Sequence, residues 1–341
     1  MKKFWKNKKV FITGHTGFKG SWLSMILLSY GAKVYGLSLR TNKDKNLIFE
    51  NSLLNKKCKN FFFDILNYKK LNNIVKKIKP DILFHLAAQP FVIKGYKEPK
   101  KTFEVNALGT LNILETIKEN KIKTSVIITT DKVYKNNNLR KCFEENDELG
   151  GSDPYSSSKH IAEILVENYN LNYFIESKLN VVTARAGNVI GGGDRGENRL
   201  IPDFFKNKKN LIIRAPNSTR PWQFILDPLN GYLKLAKFIH GKKLKKDQYS
   251  WNFAPNNKEA KNVRYVINLL NKSFNKKIIY NNNNFEKKYL NLKSNKSKKY
   301  LKWSCKYNLE ASLKKIIEWE IDFKNNNNML CEKQINEFFK D

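Results

Sequence analysis

Two short stretches carry residue types able to move protons at a carbon that bears a hydroxyl. Tyr155-Ser156-Ser157-Ser158-Lys159 sets a phenol and an ammonium four residues apart, on one face of a helix. An ammonium there favours the phenolate and is expected to draw the tyrosine pKa from about 10 toward neutrality. Such a phenolate takes a proton from an alcohol while hydride leaves the same carbon. Thr129-Thr130-Asp131-Lys132 supplies a hydroxyl, a carboxyl and a second lysine in direct succession. In a chain with 15 tyrosines and 64 Lys and Arg residues, this spacing gains its meaning from what surrounds it.

The frame starts at Val10-Phe11-Ile12-Thr13-Gly14-His15-Thr16-Gly17-Phe18-Lys19-Gly20, a buried strand, a glycine turn and a helix start. Gly14 turns the chain out of the strand. Gly17 lets backbone N–H groups approach a pyrophosphate, and Gly20 lets the helix pack closely on the sheet. The helix N-terminus faces the phosphates with its partial positive charge. Strand and helix signals then alternate, predicting a parallel sheet covered on both faces. Strands are expected at Val10–Thr13, Lys33–Leu37, Phe61–Phe63, Asp81–Leu86, Ser125–Thr130 and Leu179–Thr183. Helices are expected at Trp22–Tyr30, Leu71–Ile78, Thr102–Glu119 and from Pro154 to about Asn170. The second half shows shorter apolar runs (Leu211–Ile213, Trp251–Phe253), a late helical stripe at Leu309, Leu313, Ile316 and Ile317, and asparagine loops at Asn281–Asn284 and Asn325–Asn328. The reading is an α/β, Rossmann-like doubly wound sheet over residues 1–185. Residues 186–341 form mainly a smaller substrate-binding lobe, with some segments returning to the first domain.

Binding residues follow from place in this frame. Thr16, Gly17 and Phe18 lie in the loop. Asp64-Ile65 ends the third strand at the mouth of a nucleotide site, where an aspartate can take an adenine amine. The second strand ends in Leu37-Ser38-Leu39-Arg40-Thr41, with no acid before Asp44 to grip ribose hydroxyls. Ser38 is a candidate for a ribose. Arg40 suits either a 2′-phosphate or an adenine face, which leaves NAD and NADP open. After the fourth strand, Leu86-Ala87-Ala88 lets a flat ring lie against the backbone, whereas His85 reads as a packed strand-end histidine.

Composition sets limits. No run of eighteen apolar residues is present. The basic start lacks an apolar segment behind it, so no signal peptide is read and the cytoplasm is expected. The four cysteines lack C-x-x-C pairing, which points to a reducing compartment and no metal site. The net charge of +33 comes from lysines spread along the whole chain among many asparagines. Without a nucleic-acid motif this predicts weak attraction for anions, nucleotides included, and no specific nucleic-acid partner.

With these motifs in order, the chain resembles the extended short-chain dehydrogenase/reductase family. Thr130-Asp131-Lys132 resembles the form found in nucleotide-sugar 4,6-dehydratases, and most closely in those acting on CDP-glucose. Phe4-Trp5, Lys19, Ser21-Trp22, Arg185 to Asp194 and Thr219 to Gln223 support this, while Phe224 stands where a histidine is expected. The resemblance implies oxidation at C4 by a bound NAD (NADP not excluded), with Tyr155 as base and Thr130 on the C4 oxygen. It implies Asp131 as the acid for the C6 hydroxyl and Lys132 as the C5 base, which requires a neutral lysine. Gln89, Asn188 and Arg220 are implied as substrate contacts, Arg220 and Asn188 on the diphosphate. It also implies a homodimer or homotetramer, pairing through the helices near 102–119 and 154–170.

Overall fold

The computed structural model describes residues 1–40, 47–137, 140–207, 210–281, 287–324 and 329–340. Thr41, Asp44, Asn282–Asn284 and Asn325–Asn328 lie outside the described residues. Seven parallel strands form the central sheet. In chain order they are β1 (Lys9–Thr13), β2 (Lys33–Ser38), β3 (Lys59–Phe62), β4 (Ile82–His85), β5 (Thr124–Ile128), β6 (Asn180–Ala186) and β7 (Ser250–Phe253). Their spatial order is β7-β6-β5-β4-β1-β2-β3. The order reverses between β1 and β4, which opens a crevice at the carboxyl ends of these strands.

Strand alternation builds a core on each face. Val10, Ile12, Ile82, Phe84, Val126, Ile128, Val182 and Ala184 point to one side. Phe11, Leu83, Ile127 and Val181 point to the other. The first side is covered by α1 (Phe18–Ser29), which buries Trp22, Leu23, Ile26 and Leu27. The second is covered by α2 (Tyr68–Ile78), α3 (Gly109–Asn120) and α4 (Pro154–Tyr169) through Leu71, Val75, Ile113, Ile117 and Val166.

The expected strands and helices are present, with informative differences. The long helix expected over Thr102–Glu119 is a helix at Pro99–Phe103, a π-helical turn at Glu104–Leu108, then α3. A second π-helical turn, Asn170–Phe174, follows α4. The run Trp251–Phe253 does not stay in the second half. It forms β7 and joins the sheet edge through β6, as Ala186↔Phe253. Helix α5 (Leu226–Ile239) likewise packs on the sheet, burying Leu229, Tyr232, Leu233 and Leu235. The chain therefore crosses the 185/186 boundary more than once. Short pairings complete the smaller lobe: Val189–Ile190 with Gln223–Phe224, Thr219–Pro221 with Ala260–Asn262, and Asn210–Arg214 with Lys277–Asn281. Among the described residues no helix is long and apolar enough to cross a membrane.

Candidate active site

Helix α4 starts where it does because Asp153 caps it. Its carboxylate accepts from Ser156 N at 3.0 Å, the Ser156 hydroxyl accepts from Asp153 N at 3.1 Å, and Pro154 opens the first turn. Gly151 is required beside this cap, since a Cβ there would lie 2.3 Å from the Ser156 carbonyl carbon. The cap fixes Tyr155 and Lys159 against the end of β5. There Thr130 caps a single 3₁₀ turn, Asp131–Val133, and its hydroxyl accepts from Lys132 N at 3.3 Å.

These elements bring the catalytic candidates together. The Thr130 hydroxyl donates to Asp131 Oδ1 at 3.0 Å and lies close enough to the Tyr155 phenol to pull its pKa down. Asp131 is buried, which pushes its pKa up against the pull of Lys132, Thr130, Arg220 and Lys19. Its Oδ2 has no partner among the described residues. Lys159 is also buried. Its ammonium donates to the Ile128 carbonyl at 2.7 Å rather than to the phenol. Burial lowers Lys159 to about 8, with Glu163 raising and Lys19 lowering it.

Tyr155 departs from the sequence expectation. Burial pushes it up to about 12, with Thr130 and Arg199 pulling it down and Asp131 and Asp153 pulling it up. The desolvation of a phenolate outweighs the nearby cations, so Tyr155 carries its proton at neutral pH.

The glycine loop is a fitted cradle. Gly14 sits at φ +76, and a Cβ there would lie 2.7 Å from Ala87 N. A Cβ on Gly20 would lie 2.0 Å from the Gly14 carbonyl oxygen. Gly17 differs, for its Cβ would meet only that same oxygen, at 3.4 Å. Nothing in the fold demands glycine at position 17, and the space left open lies over the N-terminus of α1. Gly17 is the N-cap and offers no side-chain bond, so the first-turn N–H groups remain available to an anion.

Several binding candidates have other partners. The Ser38 hydroxyl accepts from Thr16 N at 3.3 Å and bonds His15 Nδ1 at 3.0 Å, which braces the loop. The Gln89 side chain accepts from Phe91 N at 2.7 Å and donates to Phe91 O and the Thr102 hydroxyl, so it shapes the wall with both amide hydrogens in use. Asp64 accepts from Leu66 N at 3.0 Å and pairs with Lys101 at 3.5 Å, with Ile65 buried behind it. Arg40 is exposed, its guanidinium 5.1 Å from the Phe62 ring centroid. Leu86 N and Ala87 N bond Thr13 O and Oγ1, closing Leu86, Ala87 and Ala88 against the loop. His85 is buried between the hydroxyls of Thr13 and Thr110, where burial lowers it to about 3.

In the smaller lobe, Arg220 is buried on strand Thr219–Pro221 and lies within electrostatic reach of Asp131. Asn188 follows β6, and its carbonyl accepts from Gln223 N. Phe224 is wholly buried against Tyr307, with centroids 5.5 Å apart, so it belongs to the core and not to the cleft.

Sequence reasoning passed over Lys19 and Arg199. Lys19, in the first turn of α1, is lowered to about 8 by burial and by Arg199, with Asp131 and Asp194 opposing. Its signal was a charged residue between two loop glycines. Arg199, paired with Asp194 at 3.0 Å and over the Phe91 ring at 5.0 Å, left no pattern in the sequence.

Comparison with known proteins agrees with this geometry. The GDP-mannose 4,6 dehydratase family matches residues 11–316. The chain is 42% identical over 275 residues to CDP-glucose 4,6-dehydratase of Salmonella typhimurium, covering 78% of this chain and 76% of the relative. It is 34% identical over 246 residues to dTDP-D-glucose 4,6-dehydratase of Dictyostelium discoideum, covering 66% of this chain and 54% of that one. Among solved structures, Pal from Bacillus thuringiensis superposes with a TM-score of 0.80 at 25% identity, over 92% of this chain and 99% of Pal. dTDP-glucose 4,6-dehydratase from Bacillus anthracis, solved in complex with NAD, shares the fold with a TM-score of 0.79 at 22% identity, over 95% and 99% of the two chains. The chain belongs to the GDP-mannose 4,6 dehydratase family, within the extended short-chain dehydrogenase/reductase group of nucleotide-sugar dehydratases and epimerases.

Proposed function

We propose that the chain is a CDP-glucose 4,6-dehydratase, converting CDP-glucose to CDP-4-keto-6-deoxyglucose and water with no net use of cofactor. One observation carries it: Thr130, Asp131 and Lys132 are held against Tyr155 in a chain 42% identical to an enzyme of that name. The cofactor assigned is NAD. The open space over Gly17, the uncapped N-terminus of α1 and the Arg40–Phe62 ledge fit a pyrophosphate and an adenine. When bound, NAD accepts hydride from C4 and gives it back at C6.

The residues divide the remaining work. Tyr155 first passes its own proton through Thr130 to Asp131 and then takes the C4 hydroxyl proton as the C–H bond breaks, while Thr130 bonds the C4 oxygen. The resulting ketone acidifies the C5 proton, which Lys132 removes. Asp131, whose burial favours the acid form, gives the proton it received from Tyr155 to the C6 hydroxyl, which leaves as water. Hydride then enters at C6, and Lys132 returns its proton to C5. The C4 proton stays on Tyr155, so the turnover ends with the phenol protonated, as it began. Asn188 and Arg220 hold the diphosphate. A homodimer pairing through the π-helical turn at Glu104–Leu108 and α4, in the cytoplasm, completes the reading. Leu108 (52% exposed) and Ile164 (49%) leave an apolar face there.

A 4-epimerase needs no acid at C6, so Asp131 separates the two activities. The test incubates the protein with NAD or NADP and a panel of CDP-, dTDP-, UDP- and GDP-hexoses. Mass spectrometry should show loss of water from CDP-glucose. Unchanged mass with inverted C4 would assign an epimerase, and no turnover of any sugar would overturn the proposal.

A further inference from the structure

We infer that Glu163, braced by Arg185, is a positioning residue for this reaction. It locks the helix that carries Tyr155 and Lys159 to the strand end that carries Thr130 and Asp131, and it places a negative charge one helical turn beyond Lys159, whose ammonium rests on the Ile128 carbonyl. The inference rests on the proposed dehydratase reading and deepens it.

The geometry is a four-way tie. Glu163 lies on α4, one turn beyond Lys159, and is 5% exposed. Its carboxylate accepts from the hydroxyl of Thr129, the neighbour of Thr130, and from the Thr183 hydroxyl on β6 at 2.7 Å. Arg185, also on β6, grips it through Nε at 2.9 Å and Nη2 at 2.8 Å. Arg185 Nη1 continues to the Tyr134 hydroxyl at 2.9 Å and the Glu145 carbonyl at 3.0 Å. Tyr134 donates in turn to Asn252 on β7 at 2.7 Å. One carboxylate thus joins α4, the end of β5 and β6, and through Arg185 and Tyr134 it reaches β7. A helix packed by apolar contact alone can slide or rotate. A bidentate ion pair with two hydroxyl donors admits one register.

The charge matters as much as the position. Lys159 faces Tyr155 and Glu163 on its own helix, Lys19 of α1, and His85 at the end of β4. His85 is neutral, and Lys19 repels the ammonium. Glu163 is therefore the acidic group whose charge favours the ammonium form of Lys159. Removing its charge drives the Lys159 pKa down, so the cation needed beside the phenolate is lost at lower pH.

Glu163→Gln alone leaves Arg185 unpaired in a dry interior and destabilises the fold. The decisive variant is therefore Glu163→Gln/Arg185→Met, which removes both charges. The pH dependence of Lys159 acylation by acetic anhydride, followed by peptide mass spectrometry, reads its ionisation without requiring turnover. In the double variant the midpoint should fall by about one pH unit or more. The basic limb of kcat for CDP-glucose should move down with it, and kcat should drop at least tenfold with KM little changed. Glu163→Asp keeps the charge and shortens the reach. It should hold the acylation midpoint near that of the wild type while kcat still falls, and it serves if the double variant does not fold. An unchanged midpoint in the double variant, or an Asp variant with wild-type kcat, overturns the inference. If the wild type turns over no nucleotide sugar, the dehydratase reading fails, and the acylation midpoints still decide the role of Glu163.

Discussion

Gly17→Ala separates what the glycine loop does for the fold from what it does for a ligand. Gly17 adopts φ −71 and ψ 169, which alanine reaches without strain. Its added Cβ would lie 3.4 Å from the Gly14 carbonyl oxygen, a tolerable contact. Alanine loses less backbone entropy on folding, worth about 0.4–1 kcal/mol, but caps a helix less well than glycine by a similar amount. The two offset, so unfolding free energy should change by less than about 1 kcal/mol. Gly20→Ala is the contrast. Its Cβ would lie 2.0 Å from the same carbonyl oxygen, a backbone atom that cannot step aside. The loop or α1 must shift, at a cost of about 3 kcal/mol or more. Urea unfolding of both variants tests this half. The second half is ligand-linked stability. Saturating NAD should raise the melting temperature of the wild type, and a tenfold weaker affinity would remove about 1.4 kcal/mol of that linkage. Gly17→Ala should melt like the wild type alone and lose most of the shift with NAD. A Gly17→Ala protein that binds NAD normally would show that the open space over the helix N-terminus is not where the pyrophosphate lies.

Asp131→Asn keeps the bond from Thr130 but removes both the acceptor of the Tyr155 proton and the acid, so C4 oxidation and water loss should fall together, on the order of 10²–10⁴-fold. Reduced-nicotinamide absorbance should therefore stay flat, and a variant that dehydrates at the wild-type rate would remove Asp131 from the mechanism. Asp227, fully buried, accepts from Lys306 N at 2.6 Å, and burial pushes its pKa up to about 7 from 3.8. The folded state holds that proton more tightly than the unfolded chain does, so stability falls as pH rises from about 4 through about 7, by at most roughly 4 kcal/mol. Asp227→Asn keeps a carbonyl acceptor for Lys306 and should flatten this slope. Its advantage in chemical denaturation should be largest above about pH 7, and a slope equal to the wild type's would contradict the assignment. Leu108→Glu/Ile164→Glu places charges on the exposed face of the Glu104–Leu108 turn and α4 and should yield monomers in sedimentation velocity. Unchanged sedimentation would mean that this face is not where copies meet.

Much of the frame is legible in the sequence because local rules fix it. Strand apolar runs, the glycine loop, Pro154 behind Asp153 and the Tyr155–Lys159 spacing are each set by neighbours within a few residues. What is hidden depends on distant partners. Trp251–Phe253 looks like any short apolar run until β6 is seen to have an unpaired edge. The break of the 102–119 helix into an α, a π and an α segment leaves no periodic trace, since the apolar residues still recur at helical spacing. Ser38 and Gln89 stand in the right places for ligand contacts, yet their polar groups are claimed by His15, Thr16, Phe91 and Thr102. Position along a strand end is written in the sequence, whereas the allocation of each hydrogen bond is settled only when the loops close.

The same distinction decides how the Tyr155–Lys159 motif works. Spacing alone guarantees that the two side chains share a helix face, and from this a low phenol pKa was expected. It says nothing about how dry that face is. In the folded chain both groups are buried, and the Lys159 ammonium turns to the Ile128 carbonyl. Burial opposes the charged form of each, so it raises the phenol and lowers the amine. The motif therefore does not store a phenolate in advance. In the proposed mechanism Tyr155 gives up its own proton first, through Thr130 to Asp131, and the C4 proton replaces it only as hydride departs. Base strength then arises from coupling to the redox step. That fits an enzyme whose oxidation at C4 must be reversible and must not run ahead of elimination. It also explains why the acid of the second step, Asp131, sits one residue from the hydroxyl that serves the first.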